Sequence, residues 1–152
     1  MESPLVSIII PCYNAEEYIG EAIQSAMDQT YPHTEVIVID DGSTDGSLDV
    51  IKSFGNAIRW ETGPNRGGCA ARNRGIELTK GEFIQFLDAD DLLSPEKISL
   101  QIQHSSGADL VFSRGIETDL NGIRLGELGR PHETILLRMV CLDLLTIIGP
   151  LI

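Results

Sequence analysis

Three aspartates stand within four consecutive positions of this chain, and their spacing is suited to binding a metal ion. Asp88, Asp90 and Asp91 directly follow residues 83–87, which are apolar apart from Gln85. Residues two apart in an extended backbone point the same way, so Asp88 and Asp90 can face one cavity. Carboxylate oxygens suit Mg²⁺ or Mn²⁺, and Mg²⁺ is typically held by one or two carboxylates plus substrate phosphates. A capped turn is the alternative, but the crowded negative charge favours a cation site.

A second acidic pair, Asp40-Asp41, follows the apolar residues 36–39. The next residues, 43–45, are Ser, Thr and Asp, which are better placed than the pair to cap a following helix. The two carboxylates are therefore expected to keep free acceptors for a base N–H or a ribose hydroxyl. Gly42 would let the backbone turn closely past such a ligand.

Positive charge is concentrated in one stretch, residues 65–75, which contains Arg66, Arg72 and Arg74. Glycines at 67 and 68 come just before a predicted helix and can present backbone N–H groups to an anion. Arg72 has small neighbours that allow close approach, so it is the best candidate to contact phosphate or base. For Arg66 and Arg74, an exposed helix face is an equally good interpretation.

The elements that must position these residues follow an alternating pattern of apolar runs and helical segments. Strands are predicted at residues 5–10 (ended by Pro11), 35–40, 58–61, 82–87 and 109–114. Helices are predicted at 16–29, after 47, at 69–78, from a Ser94 cap to about 104, and at 132–146, with a hairpin at 117–125. This order predicts an α/β fold with a mostly parallel sheet and helices on both faces. Ligands of such folds bind at the carboxyl ends of the strands, where the polar clusters fall.

Composition excludes several classes of partner. The 152 residues carry 11 Lys and Arg against 23 Asp and Glu, a net charge of −12. Nucleic acid and anionic lipid both require a basic surface, so neither is expected as the main partner. The three cysteines are widely spaced, and no secretory signal or membrane span is recognisable, which favours a cytoplasmic location. Dinucleotide-binding, P-loop and nucleophile-elbow motifs are also absent from the sequence.

Four sequence blocks together resemble family 2 glycosyltransferases. They are VSIIIPCYN at 6–14, VIDDGSTD at 38–45, NRGG at 65–68 with ARN at 71–73, and FLDADD at 86–91. The blocks occur in the family's order and spacing and cover about residues 4–104. The resemblance implies a GT-A, Rossmann-like fold, a nucleotide-sugar donor, Mn²⁺ or Mg²⁺ as cofactor, and inversion at the anomeric carbon.

The resemblance also assigns site residues. It implies nucleotide binding by Pro11, Tyr13, Asn14, Asp40, Asp41, Arg72 and Asp88. Tyr13 would stack near the base, Asp40 and Asp41 would hold base or ribose, and Arg72 would lie beside the nucleotide. Asp90 would ligate the metal on the diphosphate, with Asp88 contacting ribose, the metal or its bound water.

One catalytic residue is not recognisable. Inverting transfer needs a general base, which the family places in an acidic pair well after the D-x-D block. No acidic pair follows Asp91, and the acids of the later segment are isolated, namely Glu117, Asp119, Glu127, Glu133 and Asp143. Residues 1–104 are therefore predicted to form the nucleotide-sugar-binding half, and 105–152 the start of an incomplete acceptor-side half.

Three functional hypotheses result. The first is a metal-assisted inverting glycosyltransferase that uses a UDP-sugar, with a saccharide, lipid-linked or protein acceptor. The second is a non-catalytic nucleotide-sugar-binding module. The third, a sugar-nucleotidyltransferase, would need a glycine-rich, lysine-ended loop after the first strand, which residues 11–14 do not provide. The apolar residues 135–152 could lie on a partner or, peripherally, on a membrane surface.

Overall fold

The computed structural model describes residues 3–105 and the strand residues 110–113, 116–118, 124–127 and 134–138. Strands and helices alternate through the first part: β1 (Val6–Cys12), α1 (Ile19–Met27), β2 (Thr34–Asp40), α2 (Ser47–Ser53), a 3₁₀ turn (Gly55–Ala57), β3 (Arg59–Thr62), α3 (Gly68–Leu78), β4 (Phe83–Phe86) and α4 (Lys97–His104). Four strands follow: β5 (Leu110–Ser113), β6 (Ile116–Thr118), β7 (Arg124–Glu127) and β8 (Thr134–Arg138).

The main sheet has the strand order β3-β2-β1-β4-β8-β5. Strands β3, β2, β1 and β4 run parallel to one another, and β8 pairs antiparallel with both β4 and β5. Strands β6 and β7 form a separate antiparallel pair, which agrees with the hairpin predicted there. The prediction of a mostly parallel α/β sheet is confirmed.

Helices cover both faces of this sheet because β1 is apolar on both sides. Val6, Ile8 and Ile10 pack in one core with residues of α1, α2 and α4. Ile9 points to the opposite face, where α3 lies against β1 so closely that a Cβ on Gly75 would be 2.4 Å from its Cγ2 atom. A side chain at position 75 would push α3 off the sheet, so glycine is required there for the close approach.

Pro11 lies inside β1, so the prediction that it ends the strand is wrong. Cys12 is still paired with Asp40, and its carbonyl oxygen accepts a hydrogen bond from Asp41 N at 2.8 Å. The carbonyl oxygen of Ile9, by contrast, accepts from Leu87 N next to β4. Alternate residues of β1 therefore form backbone hydrogen bonds with β2 and with β4. Pro11 is on the β4 side, beyond Ile9, the last residue of β1 that is paired with β4, so the sheet requires no N–H donor from it.

Residues 134–138 form β8, so the helix predicted at 132–146 is wrong at those positions, and the rest of that segment lies outside the described residues. The run Ile135-Leu136-Leu137 is short and apolar, and such a run is compatible with a helix or a buried strand. Both edges of β8 are paired, with β4 and with β5. Partners distant in the sequence thus decide its conformation.

The N-terminus of α4 is capped from another part of the chain, and the predicted Ser94 side-chain cap is not formed. Gln29, which is buried, accepts a hydrogen bond from Ile98 N at 3.1 Å and donates to the Ser94 carbonyl at 2.9 Å. The segment after β4 is therefore attached to the end of α1. In the part of the chain that the structure describes, none of the helices has the length and apolar character needed to span a bilayer.

Candidate functional site

A cleft of about 380 Å³ opens where β1, β2 and β4 end. It is lined by six of the seven residues predicted to bind nucleotide, together with the predicted metal ligand Asp90. These six are Pro11, Tyr13, Asn14, Asp41, Arg72 and Asp88. The parallel arrangement of the strands explains the convergence, because their carboxyl ends meet at one edge of the sheet.

Asp40, the seventh residue, is turned away from this cleft. It is 2% exposed, and its Oδ2 accepts a hydrogen bond from Thr62 Oγ1 at 2.6 Å while its Oδ1 accepts from Ser43 N at 3.2 Å. Both carboxylate oxygens of Asp40 have a partner within the protein, as do both of Asp41, so the expectation that this pair keeps free acceptors is wrong. Asp40 connects β2 to the end of β3 and begins the turn that leads to α2.

Asp41 lines the cleft, but it also holds the loop before α3. Its two carboxylate oxygens accept hydrogen bonds from Arg66 N and Gly67 N, both at 2.8 Å. Gly67 has a φ of +90°, a conformation that glycine adopts readily, and it brings its N–H to this carboxylate. Because each oxygen has a second lone pair, Asp41 can accept a ligand hydrogen bond only in addition to these two.

Tyr13 and Asn14 form the wall of the cleft at the end of β1. The Tyr13 side chain is 51% exposed. Asn14 has a φ of +49°, and its Oδ1 accepts a hydrogen bond from Thr44 N at 2.8 Å. The Asn14 backbone N–H in turn donates to Ser43 Oγ at 3.0 Å. The acceptor of Asn14 is thus used within the protein, which joins this wall to the loop after β2.

Arg72 reaches across the cleft from α3 and forms an ion pair with Asp88 at the end of β4. The side chains are 27% and 52% exposed, respectively, so solvent has access to the pair. The arginines of residues 65–75 therefore lie in different environments, since Arg72 is at the cleft and Arg74 is not among the residues that line it. Arg74 instead forms ion pairs with Glu61 at 2.8 Å and Glu77 at 2.6 Å, which raise the pKa of its guanidinium.

The loop after β4 carries more negative charge than its surroundings neutralise. Partial burial and then the nearby Asp88 and Asp90 raise the pKa of the Asp91 carboxyl. Asp90 is exposed, lines the cleft and makes no hydrogen bond or ion pair with any described residue. No group of three or more His, Cys, Asp and Glu side chains in the described residues is arranged to hold a metal by itself. Two carboxylates fit a hard divalent cation that is shared with the phosphates of a ligand.

Some cleft residues were not predicted from the sequence. Tyr18 falls within the helix predicted at 16–29, but α1 starts at Ile19 and Tyr18 is 42% exposed at the cleft. Cys12 also lines the cleft, where burial raises the pKa of its thiol to about 11. A thiol with that pKa is protonated at neutral pH and is not a nucleophile there.

Comparison with known proteins identifies the family. Residues 7–130 match Glycosyl transferase family 2. The chain belongs to this family. An uncharacterized glycosyltransferase of Haemophilus influenzae is 40% identical to it over 119 residues, which are 76% of this chain and 48% of that protein.

Two solved structures resemble this family 2 glycosyltransferase chain and support its GT-A fold. S. aureus TarS 1-349 in complex with UDP-GlcNAc has a TM-score of 0.72 and 25% identity, covering 91% of this chain and 46% of that one. The mannosyltransferase PcManGT from Pyrobaculum calidifontis, in complex with GDP-Man and Mn²⁺, has a TM-score of 0.56 and 29% identity, covering 66% of this chain and 31% of that one. The chain thus spans about half the length or less of the proteins it matches.

Of the isolated acids considered as a general base, Glu117 lies in β6 and Glu127 in β7. Asp119, Glu133 and Asp143 lie outside the described residues. The catalytic base therefore stays unassigned.

Proposed function

We propose that this chain binds a nucleoside-diphosphate sugar, with UDP as its nucleotide, and belongs to an enzyme that transfers the sugar to an acceptor hydroxyl. The observation that carries the proposal is the cleft itself. The opening lies at the carboxyl ends of β1, β2 and β4. It is lined by an exposed aromatic ring, an arginine and two aspartates of residues 88–91, here called the acidic loop. Residues 1–104 would form the donor-binding half and 105–152 the beginning of the acceptor side.

The wall formed by the ends of β1 and β2 suits the nucleoside. Tyr13 presents an exposed ring that can stack on a base, and Pro11 lines the cleft behind it. Asp41 and Asn14 contribute polar atoms to this wall, although each already has partners within the protein. Uracil is favoured over guanine because the TarS structure with UDP-GlcNAc matches 91% of this chain, whereas the PcManGT structure with GDP-Man matches 66%.

The opposite wall suits the diphosphate. Arg72 would release Asp88 and bind phosphate oxygens, for which a guanidinium is well shaped. Asp88 and Asp90 would hold Mn²⁺ or Mg²⁺ together with the diphosphate. When bound, this cation supplies Lewis-acid stabilisation of the negative charge that develops on the leaving nucleoside diphosphate. A Mn²⁺ complex of a structural neighbour supports this choice of metal.

Inversion at the anomeric carbon is part of the proposal. The acceptor hydroxyl would attack the face opposite the leaving group while a carboxylate removes its proton. Arg72 stabilises the departing diphosphate electrostatically and helps to hold it in one orientation.

Asp90 is the residue that tests the proposal. In a calorimetric titration with UDP, adding Mn²⁺ is expected to tighten wild-type binding about tenfold or more, since charge-assisted contacts to phosphate are worth roughly 1.5–3 kcal/mol. Asp90→Ala should lose this metal-dependent gain and keep the metal-free affinity. Asp49→Ala, an exposed acid on α2 far along the chain from the acidic loop, serves as the matched control.

The same titrations separate the alternatives. Absence of wild-type UDP binding, or an unchanged metal effect in Asp90→Ala, would contradict the proposal. Tight UDP binding without donor hydrolysis or transfer would favour a binding module. Release of pyrophosphate from a nucleoside triphosphate and a sugar phosphate would favour a sugar-nucleotidyltransferase.

A further inference from the structure

Two loops beside the cleft are joined by direct hydrogen bonds. The first loop, here the β1 loop, is residues 13–18, and the second, the β2 loop, is residues 41–46. Besides the Asn14 bonds described above, Glu16 N donates to Asp45 Oδ2 at 3.1 Å. Gly46 N donates to Glu16 Oε2 at 2.9 Å, in the opposite direction. The contact is therefore reciprocal, with each loop giving a backbone N–H to a carboxylate of the other.

The Glu16 carboxylate lies directly against Gly46. A Cβ on Gly46 would be 2.5 Å from both Cδ and Oε1 of Glu16. Gly46 has a φ of −77°, which any residue can adopt, so its backbone conformation does not demand glycine. The space taken by the Glu16 carboxylate is the reason that a side chain at position 46 would disturb this contact.

The Tyr13 ring is held by neither a hydrogen bond nor a neighbouring ring in the described part of the chain. Half of the surface of Tyr13 is exposed. Its position is therefore set by the backbone of the β1 loop. That backbone is anchored by Cys12 in β1 on one side and by Asn14, Ala15 and Glu16 on the other, the Ala15 N–H donating to Ser47 Oγ at 2.8 Å.

We propose that Glu16 is a positioning residue for the nucleotide: by accepting the Gly46 N–H, it fixes the β1 loop and so presents the Tyr13 ring to the base. This inference rests on the proposed function of the cleft. Glu16 is not among the residues that line the cleft, so it acts through Tyr13 and not by contacting the ligand. Glu16 contributes the oxygen that accepts the hydrogen bond from Gly46 N, and its negative charge is not needed for this role.

A pair of substitutions separates acceptor from charge. Glu16→Gln keeps an acceptor oxygen for Gly46 N, whereas Glu16→Ala removes it. In metal-free titrations with UDP, Glu16→Ala is expected to weaken binding about five- to tenfold, the scale of one ordinary hydrogen bond that is lost. Glu16→Gln should stay within about twofold of wild type. Glu17→Ala, the exposed neighbouring acid, is the matched control and should bind as wild type does.

A double-mutant cycle tests whether Glu16 acts through Tyr13. Tyr13→Ala should weaken UDP binding, and adding Glu16→Ala to it should cost nothing more, because the positioned ring is already gone. Gly46→Ala displaces the carboxylate without altering Glu16, so it should reproduce the Glu16→Ala loss. Thermal unfolding of every variant verifies that the chain remains folded, with Gly46→Ala as the second route if Glu16→Ala does not fold.

The outcomes distinguish this inference from the proposed function. Failure of wild type to bind UDP, or unchanged binding by Tyr13→Ala, would refute the function proposed for this wall and the inference with it. If wild type and Tyr13→Ala behave as expected but Glu16→Ala binds normally, the inference alone fails. It also fails if Glu16→Gln loses as much affinity as Glu16→Ala, or if the Glu16 and Tyr13 losses simply add.

Discussion

Asp40 and Asp41 are adjacent in the sequence, but their carboxylates face different parts of the molecule. Asp40 accepts hydrogen bonds from Thr62 and Ser43, whereas Asp41 faces the cleft and accepts from two N–H groups of the loop before α3. Successive residues at the end of a strand point to opposite sides, and this alternation separates the two roles. Asp40 therefore stabilises the contacts of β2 with its neighbours, and Asp41 lies at the edge of the site.

Arg72 allows a prediction at the residue scale, because its guanidinium pairs with Asp88. Arg72→Gln is expected to weaken UDP binding about tenfold or more, since a charge-assisted phosphate contact is lost. Binding of Mn²⁺ alone should be retained or become tighter, because Asp88 loses a competing cation. Parallel calorimetric titrations with UDP and with Mn²⁺ measure the two effects.

Arg74→Gln is the control for this prediction, since Arg74 is paired with Glu61 and Glu77 away from the cleft. Equal loss of UDP and Mn²⁺ binding in Arg72→Gln would mean that the substitution damages the whole cleft, contrary to the role given to the ion pair.

Helix α4 is connected to its neighbours by a buried amine. Lys97 is 8% exposed, and its Nζ donates to Gln85 Oε1 on β4 at 2.5 Å and to Gln101 Oε1 at 3.0 Å. Gln101 Nε2 lies 3.4 Å from the Val111 carbonyl on β5. No carboxylate of the described residues forms an ion pair with Lys97. Burial without a counter-charge lowers the pKa of this amine to about 7.

This pKa predicts how stability depends on pH. The Lys97 amine has an ordinary pKa of 10.5 when unfolded and about 7 when folded, so between these values the unfolded chain binds more protons. The free energy of unfolding should therefore rise from pH 7 to pH 9, by at most about 1.4 kcal/mol per pH unit. Urea unfolding of wild type and Lys97→Met at the two pH values measures the difference.

Lys97→Met serves as the reference, because other groups titrate in the alkaline range. The raised pKa of Cys12 acts in the opposite direction near and above pH 9, and it is common to both proteins. If the unfolding free energies of wild type and Lys97→Met change in parallel between pH 7 and pH 9, the amine does not titrate as proposed.

On the scale of the whole molecule, the net charge of −12 opposes an anionic ligand. The cleft is lined by one arginine, which is already paired, and by three aspartates, so its local charge has the same sign as the whole. A cation is attracted by this field, whereas a free nucleoside diphosphate is not. The charge therefore favours a donor that binds together with a divalent metal.

Ionic strength tests this conclusion. Raising NaCl from about 20 mM to about 200 mM should weaken Mn²⁺ binding, because screening reduces the attraction of the negative field. The same change should leave metal-free UDP binding unchanged or strengthen it. Isothermal titrations at several salt concentrations give both dependences, and a steep loss of UDP affinity with salt would instead indicate a site governed by positive charge.

Much of the fold was predictable because the first part of the chain is locally consistent. Apolar strands, helical periodicity and turn residues all indicate the same alternating order, and the cleft residues follow the strand ends. The prediction failed where the deciding partner is distant in the sequence. Residues 134–138 became a strand through β4 and β5, and Gln29 replaced Ser94 as the cap of α4.

The sequence by itself determined the family and the parallel α/β architecture, because these depend on residue types and their order along the chain. It also pointed to seven residues for nucleotide binding, which stays a proposal, and six of these line one cleft because they follow strand ends. Only the tertiary structure decided which acceptors are already used. It assigned Asp40 to the scaffold, paired Arg72 with Asp88 and joined Glu16 to Gly46. The physical reason is that a hydrogen bond depends on distance and direction between side chains brought together by folding, and a linear pattern contains neither.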